Sequence, residues 1–169
     1  IHTWGGGANS STCLLRVHPD GGVESYCGTQ DLGTGTRTVC ALVLAETFGL
    51  PVDKVKVNIG HSTYPVSGAS GGSTTVGAVL ESHRRAAQDA LAKINELVAA
   101  KLEVSADTLE AANGRIGVAG NAGKSLSWKE ACSLIGIMPM EINASHGGGP
   151  SELSSQEVGG VQMAHVAVD

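Results

Sequence analysis

Apolar and polar positions alternate along residues 11–17, which puts Cys13, Leu15 and Val17 on one face of an extended segment. His18-Pro-Asp-Gly-Gly22 follows, a run of residues that each favour chain reversal, and residues 23–27 read as the return strand of an antiparallel hairpin. After a polar, glycine-rich stretch, Gly28-Thr-Gln-Asp-Leu-Gly-Thr-Gly35, the period changes. Val39, Leu42, Val43, Leu44, Ala45 and Phe48 fall at helical spacing, and Gly49 and Pro51 stop that helix. Residues 55–59 alternate again as a third strand. A second loop, Ser67-Gly-Ala-Ser-Gly-Gly-Ser-Thr-Thr75, then opens a long helix whose buried stripe runs through Val76, Val79, Leu80, His83, Ala87, Ala90, Leu91, Ile94, Leu97 and Val98.

Beyond residue 104 the pattern weakens. Residues 105–111 read as a short helical or turn segment and 114–119 as a strand. Residues 127–135 read as a helix with Ser127 as N-cap and Glu130 completing a capping box. Residues 141–160 carry Gly147-Gly-Gly-Pro150 and Gly159-Gly160 and read as a loop, and 161–168 alternate as a strand returning to the sheet. The expected class is α+β, a two-layer α/β arrangement: strand-strand-helix-strand-helix with a mixed sheet, then further C-terminal strands and a helix. With 169 residues the chain is long enough for one domain with a real core. Residues 10–110 form its β-β-α-β-α unit and 111–169 complete the lobe. The chain opens on Ile1 and closes on a strand pattern, so it is expected to be a piece of a longer protein.

Composition narrows the function. Only 3% of residues are aromatic while 24 are Gly, so small aliphatic side chains must build the core and much backbone is left uncovered. The net charge is −5 and Arg84-Arg85 is the one adjacent basic pair, so no stripe is available to neutralise a nucleic-acid backbone. No apolar run reaches the ~20 residues of a membrane-spanning helix. Cys13, Cys27, Cys40 and Cys132 share no zinc-ligand spacing with one another or with the six histidines, and read as small buried hydrophobes. Trp4 and Trp128 read as packing anchors.

The candidate chemistry lies in the two loops, because each immediately precedes a helix, where the first N–H groups lack intrahelical partners and the dipole is positive. In Gly33-Thr-Gly-Thr36 and Gly71-Gly-Ser-Thr-Thr75 the glycines admit close approach of a ligand to the backbone, and the hydroxyls add donors and acceptors. Ordinary helix-capping turns have the same composition, so one such loop alone would carry little. If strands 23–27 and 55–59 are neighbours, however, both sets of donors converge on one groove. A dinucleotide fingerprint fails, because Thr38 stands where a third glycine is needed and no acid ends the next strand. Gly123-Lys124-Ser125 lacks the upstream glycine of a phosphate-binding P-loop. A stand-alone phosphate- or nucleotide-binding module is the alternative reading.

Gly28-Thr-Gln-Asp-Leu-Gly-Thr-Gly-Thr-Arg-Thr-Val39, Ala45-Glu-Thr-Phe-Gly-Leu-Pro51, the strand at 55–60 and Ser70-Gly-Gly-Ser-Thr-Thr75 follow one another as in molybdenum hydroxylase large subunits. The chain thus resembles the xanthine dehydrogenase and aldehyde oxidase family, most specifically over residues 10–110, and within it bacterial isoquinoline oxidoreductase-like and aldehyde oxidase-like branches. The resemblance implies a lobe that holds molybdopterin, in its simple or a dinucleotide form, through Gly33, Thr34, Gly35, Thr36, Gly71, Gly72, Ser73, Thr74 and Thr75. Many relatives have Gln at the position of Thr34, and Gln30 is the residue able to replace its longer reach. The resemblance further implies hydroxylation of aldehydes or N-heterocycles with water-derived oxygen. It implies iron–sulfur clusters and flavin on partner subunits or domains, and the remaining lobes of the molybdenum subunit as neighbours. The Gly-x-Gly-Glu context of the family's base does not occur here, and Glu157-Val-Gly-Gly160 has the wrong order. The chain alone is expected to be inactive, and the expected compartment is the cytoplasm, with the periplasm as alternative.

Overall fold

A computed structural model describes residues 7–121, 123–149 and 163–168. Strands β1 (Ser11–Val17) and β2 (Val23–Cys27) form the hairpin, its turn closed by His18 N–H on Gly22 O at 2.8 Å and by Gly22 N–H on the Asp20 carboxylate at 2.9 Å. Helix α1 (Thr36–Phe48) carries the chain back to β3 (Val55–Ile59), which pairs parallel with β2. Helix α2 (Thr75–Leu102) is the longest element. A three-stranded antiparallel sheet follows, β4 (Leu109–Ala112), β5 (Arg115–Val118) and β6 (Ser125–Ser127), then α3 (Trp128–Ser133). Strand β7 (Met140–His146) returns to pair antiparallel with β1, giving a mixed main sheet of order β3-β2-β1-β7. No helix is long and apolar enough to cross a membrane among the described residues.

The alternation seen in the sequence becomes two unlike sheet faces. Cys13, Leu15, Val17, Val23, Cys27, Val57, Ile59, Ile142 and Ala144 are buried in one core with Cys40, Leu44 and Phe48 of α1 and Val79, Ala86, Ala90, Ile94 and Val98 of α2. The opposite face is polar: Arg16 pairs with Glu141 at 2.7 Å and lies 5.0 Å from the Tyr26 ring centre, and Lys56 pairs with Glu24 at 2.9 Å. All four cysteines are buried free thiols. Desolvation pushes Cys40 and Cys132 up to about 12, so they are protonated apolar filling. Trp128 is the expected anchor, with its ring 5.0 Å from that of Phe48 and Nε1 donating to Gly21 O at 2.8 Å. Trp4 lies outside the described residues.

Three expectations are corrected. Residues 105–111 are a 3₁₀ turn (Ala106–Thr108) leading into strand β4, and β6 joins the same small sheet, so this region is a sheet where a turn and one strand were expected. Residues 141–146, expected at the head of a loop, belong to edge strand β7, held by backbone pairing to β1 and by Arg85 Nη1 donating to Ser145 O at 3.1 Å. Residues 163–168, expected as a strand, have no regular structure and are exposed; 161 and 162 lie outside the described residues. Alternation alone makes no strand without a neighbour to pair with.

Candidate functional site

Register brings the two glycine loops together. Cys27 and Ile59 are register partners at the carboxyl ends of the parallel strands β2 and β3, so loops 28–35 and 60–74 leave the sheet at the same edge. That edge is where ligands bind in open α/β sheets. The second loop first runs beside the start of β1, with Thr12 N–H on Val66 O at 2.9 Å, Gly28 N–H on Pro65 O at 2.7 Å and Gly68 N–H on Ser10 O at 2.8 Å. It then turns into α2.

Both helices start without side-chain caps. Gly35 is the N-cap of α1 and has no side chain to offer, and Thr74, the N-cap of α2, donates its hydroxyl to Gly71 O at 2.7 Å instead of accepting from the helix. Neither first turn carries an acid. Helix α3 is the contrast, since Ser127 Oγ accepts from Glu130 N–H and the Glu130 carboxylate accepts from the Ser127 hydroxyl and N–H, two bonds that hold that carboxyl below its ordinary range. The electropositive helix ends at the loops are thus open to an anion, whereas the one remote from them is closed by its own side chains.

The glycines are open outward. A Cβ built on Gly33, Gly35, Gly71 or Gly72 would meet no atom within 4 Å, although Gly33, Gly35 and Gly72 have positive φ of 74°, 84° and 61°. The chain itself therefore does not require the missing side chains for packing; backbone conformation requires three of them and the space above all four is free. Ser73 adopts φ 58°, a strained value for a residue with a side chain. Thr34 Oγ1 lies 3.4 Å from Thr36 Oγ1, Thr36 being buried beneath the loop while Thr34 is exposed.

Several side chains brace these loops, and of them Asp31, Arg37 and Asn9 were not singled out from the sequence. The Asp31 carboxylate accepts from Arg37 Nε at 3.0 Å, and Arg37 Nη1 reaches Val57 O at 2.7 Å, so the one acid of the first loop is neutralised and the loop is tied to β3. Arg37 in the first turn of a helix opposes the dipole, and that misplacement was the available signal. Asn9 Nδ2 donates to Ala69 O at 2.8 Å and Thr74 Oγ1 at 3.0 Å, from a point 60 residues or more away in the chain. Gln30 reaches the second loop, its Oε1 accepting from Ser70 N–H at 3.1 Å and Ser70 Oγ at 2.6 Å. His61 and Tyr64, between β3 and the glycines of the second loop, extend the polar sheet face: Tyr64 packs edge-on against Tyr26 at 5.3 Å and His61 lies 5.2 Å from Tyr64.

The ten candidate residues lie on these two loops at one sheet edge, Gln30, Gly33, Thr34, Gly35 and the buried Thr36 on the first and Gly71, Gly72, Ser73, Thr74 and Thr75 on the second. Residues 28–36 and 60–75 contain no carboxylate except the paired Asp31. The arrangement can bind an anionic, polar group.

The family model for the molybdopterin cofactor-binding domain matches residues 1–169. Among curated relatives, the aldehyde oxidoreductase molybdenum-binding subunit PaoC of Escherichia coli O157:H7 is 34% identical over 107 residues, which is 60% of this chain and 14% of that protein. The carbon monoxide dehydrogenase large chain of Hydrogenophaga pseudoflava is 30% identical over 114 residues, 67% of this chain and 14% of that protein. Among solved structures, quinoline 2-oxidoreductase from Pseudomonas putida 86 superposes with a TM-score of 0.73 at 22% identity, covering 82% of this chain and 19% of that one, a likeness of fold. The chain matches 14% of the length of the first two of these relatives.

Proposed function

The chain belongs to the molybdopterin cofactor-binding domain family, and from that premise we propose that the groove between residues 33–36 and 71–75 is where it holds the cofactor. The observation that carries this reading is the pair of uncapped helix N-termini at one sheet edge, roofed by glycines whose Cβ positions are empty. The donor set fits the group. Free N–H groups at the starts of α1 and α2 suit its phosphate, and the Thr34, Ser73 and Thr75 hydroxyls suit the ring heteroatoms of a pterin, with Thr74 holding the loop in shape. A flat ring needs an approach unobstructed by side chains, which Gly33, Gly35, Gly71 and Gly72 leave.

When bound, the cofactor supplies molybdenum redox chemistry. This chain's part is to bind, orient and shield that group; the base and the substrate channel are contributed by other segments. The parent protein in this reading is an oxidoreductase that hydroxylates aldehydes or N-heterocycles with oxygen from water, a reading that the aldehyde oxidoreductase subunit among its relatives supports for aldehydes. Its partners are the remaining lobes of the molybdenum subunit and an iron–sulfur subunit, with flavin on a further partner, and the cofactor is either the simple pterin or a dinucleotide form.

Gly71→Val in the full-length protein tests the groove, because position 71 has neither positive φ nor a neighbour within 4 Å. The expected outcome is an unchanged melting temperature with molybdenum and pterin per polypeptide reduced at least tenfold. Full loading of the variant would place the cofactor elsewhere, and a tightly copurifying nucleotide in a molybdenum-free protein would favour the stand-alone module.

A further inference from the structure

The second loop is held in a demanding shape. Gly72 and Ser73 both have positive φ, and the bonds within the loop, Thr74 Oγ1 to Gly71 O and Asn9 to Ala69 and Thr74, fasten it to α2 and to the segment before β1. None of these ties it to the first loop. Gly28 N–H on Pro65 O joins the two loops at their roots, and near the glycines the link is Gln30: its side chain leaves the first loop and receives two hydrogen bonds from Ser70, a residue 40 positions on in the second. A backbone N–H can only donate, so the atom it meets is the amide oxygen, and the Gln30 Nε2 group is the end that makes no bond to Ser70.

We infer that Gln30 is a positioning residue, a clasp that fixes the spacing of the two loops through Ser70 so that the groove exists before cofactor arrives. The inference rests on the reading of the groove given above and deepens it, since it gives Gln30 a role other than direct contact. The physical gain is preorganisation. A loop that is already placed has less freedom to lose on binding, so the clasp contributes to retention of the cofactor without touching it. Chain stability depends little on it, because the bonds are exposed and lie outside the core.

The test uses the full-length protein with Gln30→Met, which keeps length and loses the acceptor, Ser70→Ala, and the double variant. Melting temperature, hydrogen exchange of residues 69–75 in cofactor-free protein, and the rate of pterin loss are compared with wild type. The expected result for Gln30→Met is an unchanged melting temperature, exchange at 69–75 several-fold faster, and pterin loss about tenfold faster, equivalent to ~1.4 kcal/mol. Ser70→Ala should lie between, and the double variant should be no worse than Gln30→Met, because both changes cut one link. Additive effects in the double variant would overturn the clasp in favour of direct contact between Gln30 and the cofactor. Unchanged exchange and retention in Gln30→Met would overturn it alone, whereas a wild-type protein without pterin would remove the reading of the groove and the clasp with it.

Discussion

His83 shows how one buried side chain can set an acid limit. It lies wholly inside the core, its Nδ1 bonded to Val79 O at 2.7 Å and its Nε2 without a partner. Desolvation, only partly opposed by that carbonyl, brings it down to about 4. The unfolded chain, with an ordinary value near 6.5, therefore takes up a proton that the folded chain refuses as pH falls from about 6.5 to about 4. Stability is full above that window and is lost through it, by about 3 kcal/mol for a shift of this size. In a melting-temperature series between pH 7 and 4, His83→Met should flatten the acid slope. A slope as steep as that of wild type would assign acid sensitivity to other groups.

At the scale of elements, glycine does two different jobs at the two ends of α1. At the C-terminal end Gly49 takes φ 64°, its N–H serving Ala45 O and Glu46 O, and the main layer meets the small sheet there. A Cβ on Gly49 would stand 2.6 Å from Ala111 O and from Ala112 N and Cα, while Gly114 N–H bonds Gly49 O at 2.7 Å. Gly49→Ala combines left-handed strain with overpacking and should destabilise by about 3 kcal/mol, read as a lower denaturation midpoint, with cofactor content per folded molecule unchanged. Gly35, with a similar φ but open space above, should behave in reverse: Gly35→Ala costs about 1 kcal/mol and empties the groove. Equal stability losses in the two variants would contradict the contrast in packing.

For the whole molecule, the division between a buried layer and an open rim predicts where binding is felt. A ligand bound only by the folded state adds stability that grows with its excess over Kd, about 2.7 kcal/mol at a hundredfold excess. Removing cofactor from the parent protein should lower the melting temperature and raise hydrogen exchange at residues 28–36 and 67–77. The β4–β6 sheet, joined to the opposite end of α1 through Gly49 and Gly114, should keep its protection. Loss of protection in that sheet instead of the loops would place the binding site at the wrong end of the helices. The ion pairs of the outer sheet face contribute little to this balance, since they are exposed and screened by salt.

What the sequence determined by itself is what neighbours along the chain can settle. The β1–β2 hairpin, α1, β3 and α2 were legible because each has a clean period of its own and a turn or glycine stop beside it, and the α3 capping box because its partners are three residues apart. The two glycine loops, and through their motifs the family, were legible for the same reason. Only the tertiary structure decided that β7 is a strand: Ile142, Ala144 and His146 form a faint apolar face, and the segment is extended because β1, more than 120 residues earlier, supplies its hydrogen-bond partners. The short strands β4 and β6 likewise exist through pairing with β5. The groove belongs to this second kind. Its two sides are brought together by the parallel register of β2 with β3 and by Gln30 meeting Ser70, and each side is held by Arg37 or Asn9 meeting residues far along the chain, contacts that no local period records because they arise only when the sheet has closed.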